Sequence, residues 1–88
     1  MKLKKDLILR QVADQWIVVP VGKTTREFGG ILNLNETGVM LWQGIEEGLD
    51  VQPLAEKLTQ QYDVTLEQAL ADVAAFYEKL RLMGCTEE

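Results

Sequence analysis

Few side chains in this sequence are of a kind that performs chemistry, and their spacing speaks against it. Histidine is absent and Cys85 is the single cysteine, so His-based metal sites, Ser-His and Cys-His nucleophiles and the usual general base are all missing. Cys85 cannot form an internal disulfide, and it reads as an incidental reduced thiol after Gly84. Glu46 and Glu47 are adjacent, hence roughly 100° apart on a helix, which makes them a solvated helix end rather than an acid/base dyad. Gly22-Lys23-Thr24 lacks the upstream glycine spacing of a phosphate-binding loop. Lys23 and Arg26 fall in the polar stretch from Gly22 to Glu27, either a solvated loop or a contact for an acidic peptide. With no catalytic set and no cofactor-binding motif, the chain reads as a binding protein and not as an enzyme.

Size and composition narrow the class. A chain of 88 residues suits one domain, and it buries roughly 60–65% of the surface its unfolded form exposes. An apolar content of 47% fits a folded domain rather than a disordered one. No apolar run approaches the ~20 residues of a membrane span. The basic start Met1-Lys2-Leu3-Lys4-Lys5-Asp6 has no apolar core and no cleavage site, so it is not a signal peptide and a cytoplasmic location is expected. A net charge of −5 disfavours nucleic acid, whose phosphates call for clustered Lys and Arg. The expected organisation is a flexible N-terminal segment over 1–6, one domain over 7–84 and a tail over 85–88.

The elements that must position any binding site follow from periodicity. Leu7 to Val12 alternates, with Leu7 and Leu9 on one side and Ile8, Arg10 and Val12 on the other. Asp14 and Gln15 mark a turn, and Trp16 to Val21 is a second strand, giving a hairpin with Pro20 at a strand end or unpaired edge. After Gly29 and Gly30, a third strand over Ile31, Leu32 and Leu34 runs directly into Asn35, a helix N-cap. The helix from Glu36 to about Glu47 carries Leu41, Trp42 and Ile45 on its core face, and Gly48 ends it. Pro53 fits the first position of a second helix that turns Leu54, Ala55, Leu58 and Tyr62 inward and ends near Asp63. Thr65 to Gln68 fits a capping box opening the longest helix, which reaches about Met83, with Gly84 closing it. Its apolar face is Leu66, Ala69, Leu70, Val73, Phe76, Tyr77, Leu80 and Met83. The fold class is therefore α+β: a winged helix-turn-helix-like domain with a three-stranded antiparallel sheet followed by three helices.

That arrangement raises a DNA-binding role, which requires Arg, Lys, Asn or Gln clustered at the start of the recognition helix. Leu66-Glu67-Gln68-Ala69-Leu70-Ala71-Asp72 has two acids there and no base. A winged helix-turn-helix regulator therefore stays only as an alternative, beside a small structural subunit of an enzyme complex. A peptide is the better partner, because the exposed edge of a three-stranded sheet next to an apolar helix can accept an added strand.

The junction carries a resemblance. An apolar strand, then Leu34-Asn35-Glu36-Thr37, then Trp42 one to two turns into the helix resembles the PqqD-like family, also called RiPP recognition elements, over roughly Leu7 to Gly84. These are peptide chaperones of ribosomally made, post-translationally modified peptide pathways. The resemblance implies that the leader segment of a precursor peptide pairs with strand three and packs against helix three. Carried onto this sequence, the strand positions are Gly30, Ile31, Leu32, Asn33 and Leu34, and the helix positions nominated are Ala69, Asp72, Val73, Phe76 and Tyr77. Ordinary core packing is the competing role for Val73 and Phe76. The resemblance also implies a modifying enzyme as partner, a radical S-adenosylmethionine maturase or another peptide-modifying enzyme, and the chain itself is expected to be a monomer or weak dimer. Since amides alternate along a strand, proline at Leu32 is expected to block the docking edge, with proline at Asn33 as the control that disturbs the sheet.

Overall fold

The hairpin is the frame of the sheet. In the computed structural model, which describes residues 2–22 and 31–87, β1 (Leu7–Val12) pairs antiparallel with β2 (Gln15–Pro20), and β2 pairs antiparallel with β3 (Leu32–Leu34). The strand order is β1-β2-β3, so β3 is an edge. The turn sits on Ala13 and Asp14, one residue earlier than the polar residues suggested, with Val12 opposite Gln15. A two-residue hairpin needs backbone of mirror-image hand to match the twist of its strands, and Ala13 supplies it with φ 55°.

Three helices follow: α1 (Glu36–Glu46), α2 (Val51–Gln61) and α3 (Leu66–Leu82). The three-strand, three-helix α+β architecture read from the sequence is the one observed. Asn35 caps α1, its side-chain oxygen accepting from the Gly38 amide at 2.8 Å. Pro53 stands at the third helical position of α2, not the first, since Asp50 is the N-cap. Amides throughout the first turn lack intrahelical acceptors, so proline is tolerated there as well. Thr65 caps α3 by accepting from the Gln68 amide at 3.1 Å. The Gln68 side chain does not close the capping box; it donates to Asp72 at 2.8 Å instead.

The inner face of the sheet and the three helices share one core. Leu7, Val18, Leu32 and Leu34 from the strands meet Leu41, Trp42 and Ile45 of α1, Leu54, Ala55 and Leu58 of α2, and Ala69, Val73 and Leu80 of α3. Leu66 was expected on this face, but it begins its helix and remains exposed.

The two ends of the chain depart from the expectation of a loose start and a free tail. Leu3 forms an antiparallel bridge with Thr86, the Lys4 amide donates to the Cys85 carbonyl at 2.9 Å, and the Glu87 amide donates to the Lys2 carbonyl at 3.0 Å. Gly84, at φ 79°, turns the chain out of α3 into this clasp. Cys85 is thereby buried in the core rather than carried on a tail. Burial pushes its thiol up to about 11 from an ordinary 9.0, against a smaller downward pull from Lys4. A thiol raised this way favours the folded state below the unfolded pKa, and that contribution is lost as pH climbs through the folded value. At pH 8 the native thiolate population should be about a hundredfold below that of the unfolded chain. Alkylation with iodoacetamide should accordingly be at least that much slower in buffer than in denaturant. Equal rates would mean that the clasp does not hold.

Candidate functional site

The main-chain groups of β3 decide what its edge can offer. The Val21 amide donates to the Asp6 carbonyl at 2.8 Å, which makes the flanking Leu7–Pro20 pair a non-hydrogen-bonded one. Antiparallel pairs alternate, so Ile17 and Val19 turn their amides and carbonyls toward β1, and Trp16 and Val18 turn theirs toward β3. Trp16 stands opposite Leu34 and Val18 opposite Leu32. Leu32 and Leu34 are therefore bonded to β2, and Asn33 points its N–H and C=O outward. The sequence-based assignment of the outward amide to Leu32 is reversed. Pairing parity depends on the hairpin register, and a period-2 pattern in β3 alone does not reveal it.

At its C-terminal end the edge is closed off by the helix. The Asn35 carbonyl accepts from the Val39 amide at 2.9 Å as the first bond of α1. The usable edge within the described residues thus runs from Ile31 to the Asn35 amide and is centred on Asn33. Gly30, and the Lys23 and Arg26 loop, lie outside the described residues.

Beside this edge is a cleft of about 340 Å³ lined by Asn33 and Asn35, by Thr37, Gly38 and Leu41 of α1, and by Asp72, Ala75, Phe76 and Lys79 of α3. The direct passage from β3 into α1 contributes Asn33, Asn35, Thr37 and Gly38 to its lining. Gly38 is buried there, and a Cβ on it would lie 3.2 Å from Leu34 Cδ2 and 3.3 Å from Asn35 Oδ1. The absence of a side chain lets the first turn of α1 sit close against β3. On α3 the lining residues recur every three to four positions, one stripe running two turns along the helix.

Of the residues nominated from the sequence, the cleft brings together Asn33, Asp72 and Phe76. Ile31 is exposed at the start of the edge, 59% of its surface being accessible. Leu32 and Leu34 contribute backbone position only, since their side chains are core. Ala69 and Val73 are fully buried, so neither offers surface to an incoming chain. Tyr77 is half-buried and does not line the cleft. The wide apolar stripe of α3 mixes core and cleft positions, and these nominations took both. Asn35, Thr37, Gly38, Leu41, Ala75 and Lys79 were not nominated. Ala75 and Lys79 extend the Asp72–Phe76 stripe at helical spacing, which was a usable signal.

Among the described residues no group of three or more His, Cys, Asp or Glu side chains is placed to hold a metal ion, and no helix is long and apolar enough to cross a membrane. The cleft offers main-chain hydrogen bonds, an apolar middle and two opposite charges.

A three-stranded antiparallel sheet followed by three helices defines this as an α+β domain of the winged helix-turn-helix-like class. Residues 15–84 match the family described as coenzyme PQQ synthesis protein D (PqqD), and the chain belongs to that family. Two solved structures share the fold. The first, TbiB1 in complex with the TbiA(beta) leader peptide, is 18% identical with a TM-score of 0.82, and the match covers 99% of this chain and 95% of that one. The second, a lasso peptide synthetase B1 complexed with its leader peptide, is 23% identical with a TM-score of 0.83, covering 99% and 96%. No curated protein matches the chain.

Proposed function

We propose that the protein is a non-catalytic adapter that binds the leader segment of a ribosomally made precursor peptide and presents it to a modifying enzyme. The leader adds as a strand to β3 and lies in the cleft against α3. The observation that carries this reading is the outward-facing N–H and C=O of Asn33 at the rim of a cleft with an apolar middle. An added strand satisfies such main-chain groups while its alternate side chains enter the cleft. Membership of the PqqD family supports it, and both structural relatives hold leader peptides. The partner enzyme in this reading is a radical S-adenosylmethionine maturase or another peptide-modifying enzyme, and the setting is the cytoplasm. A DNA-binding role has less support, because the exposed start of α3 presents Glu67 and Asp72 and no basic side chain before Lys79.

The test is a parallel titration at low salt of fluorescein-labelled duplex DNA and of a fluorescein-labelled candidate leader peptide. Saturable binding of the peptide alone is expected. Tight binding of the duplex with none of the peptide overturns the assignment.

A further inference from the structure

The two charges in the cleft stand at its opposite ends. Asp72 and Lys79 are seven residues apart on α3, about 10 Å along the axis, and both are exposed. Phe76 and Ala75 lie between them on the same stripe. Asp72 accepts one hydrogen bond from the Gln68 side chain, which steadies the carboxylate while leaving it accessible. Lys79 forms no ion pair among the described residues. An extended peptide turns every second side chain to one face, so three consecutive cleft-facing side chains span about 13 Å. Long charged side chains at the outer two positions can lean inward to meet Asp72 and Lys79.

We propose that the cleft is charge-graded and selects a peptide in which a Lys or Arg and an Asp or Glu flank an apolar residue, all three facing α3. The basic side chain meets Asp72, the apolar one packs on Phe76 and Ala75, and the acidic one meets Lys79. This rests on the strand-addition reading above and specifies the peptide chemistry that the site takes. It also runs against the bulk electrostatics, since a protein of net charge −5 attracts cationic peptides without selection.

The probes are blocked synthetic peptides of roughly ten residues on a Thr/Val background, labelled with fluorescein. Their three alternate central positions are Lys-Leu-Glu, Lys-Leu-Lys, Glu-Leu-Glu or Gln-Leu-Gln. The last three read the same in either strand direction, so reversal of the peptide does not confuse them. The parent protein should bind the mixed-charge peptide about fivefold more tightly than each of the others. Lys79→Glu should move the preference to Lys-Leu-Lys, and Asp72→Lys should move it to Glu-Leu-Glu. If the parent prefers Lys-Leu-Lys, or if all three proteins rank the peptides alike, the charge-graded cleft is wrong while strand addition stands. If no peptide binds any of the proteins, strand addition fails and the charge grading fails with it.

Discussion

Asn33→Pro is expected to lose peptide binding while the domain remains folded. The Asn33 amide faces away from β2, and its side chain is exposed. Proline therefore removes a donor that only an added strand would use, and its fixed φ is compatible with an edge position. The bound peptide would be left with an unpaired carbonyl in a partly closed cleft, at about 1–3 kcal/mol, or roughly 5- to 150-fold in affinity. Leu32→Pro is the opposite case. Its amide is bonded toward Val18, and its side chain is 3% exposed. That substitution should cost several kcal/mol of stability through the lost ladder bond and the lost core side chain. Peptide affinity and circular dichroism measured on both variants separate the effects. A folded Asn33→Pro protein that binds like the parent would show that the peptide does not add to this edge.

Trp42→Ala should unfold much of the domain at moderate temperature. The indole is fully buried in the core that the sheet and the three helices share. Truncating a buried aromatic costs about 3–5 kcal/mol, a large part of the stability of a domain this small. At about 4–8 °C per kcal/mol the thermal midpoint should fall by more than ~12 °C. The indole Nε1 finds no acceptor among the described residues, and a buried unpaired donor is itself destabilising by about 1–3 kcal/mol. Trp42→Phe removes that donor and keeps most of the packing, so its loss should be clearly smaller than that of Trp42→Ala. An unchanged midpoint for Trp42→Ala would contradict its position in the core.

The elements were legible where the sequence carries a local physical signal. Asn35 and Thr65 offer side-chain acceptors at the right place for their helices, and both make the bonds expected of them. The alternation in β1 and the apolar run in β2 fix the hairpin because one face must be buried. The signal failed where the determinant is not local. Which amide of β3 points outward follows from the parity of pairing across two other strands, and β3 by itself is three residues long. On α3, Val73 and Phe76 share an apolar face, yet one is sealed in the core and the other looks into the cleft. That difference depends on how far α1 and β3 cover the helix. Lys79 carries no local signal of its own, because its place at the cleft depends on which face of α3 borders β3 and α1. Cys85 and Thr86 follow a helix-stopping glycine, and no pattern in so short a segment announces that it returns to pair with Leu3.

The joining of the two ends makes the domain close to a ring with a single nick. Lys2 and Glu87 meet through a main-chain bond and a 3.5 Å ion pair, and neither end lines the cleft. A fold of this kind can be spliced into a surface loop of a larger protein through two adjacent connections without disturbing the cleft. It can equally be reopened at the Ala13–Asp14 turn, with the old ends fused by a short linker. The cleft and the joined ends thus lie on different parts of one small module.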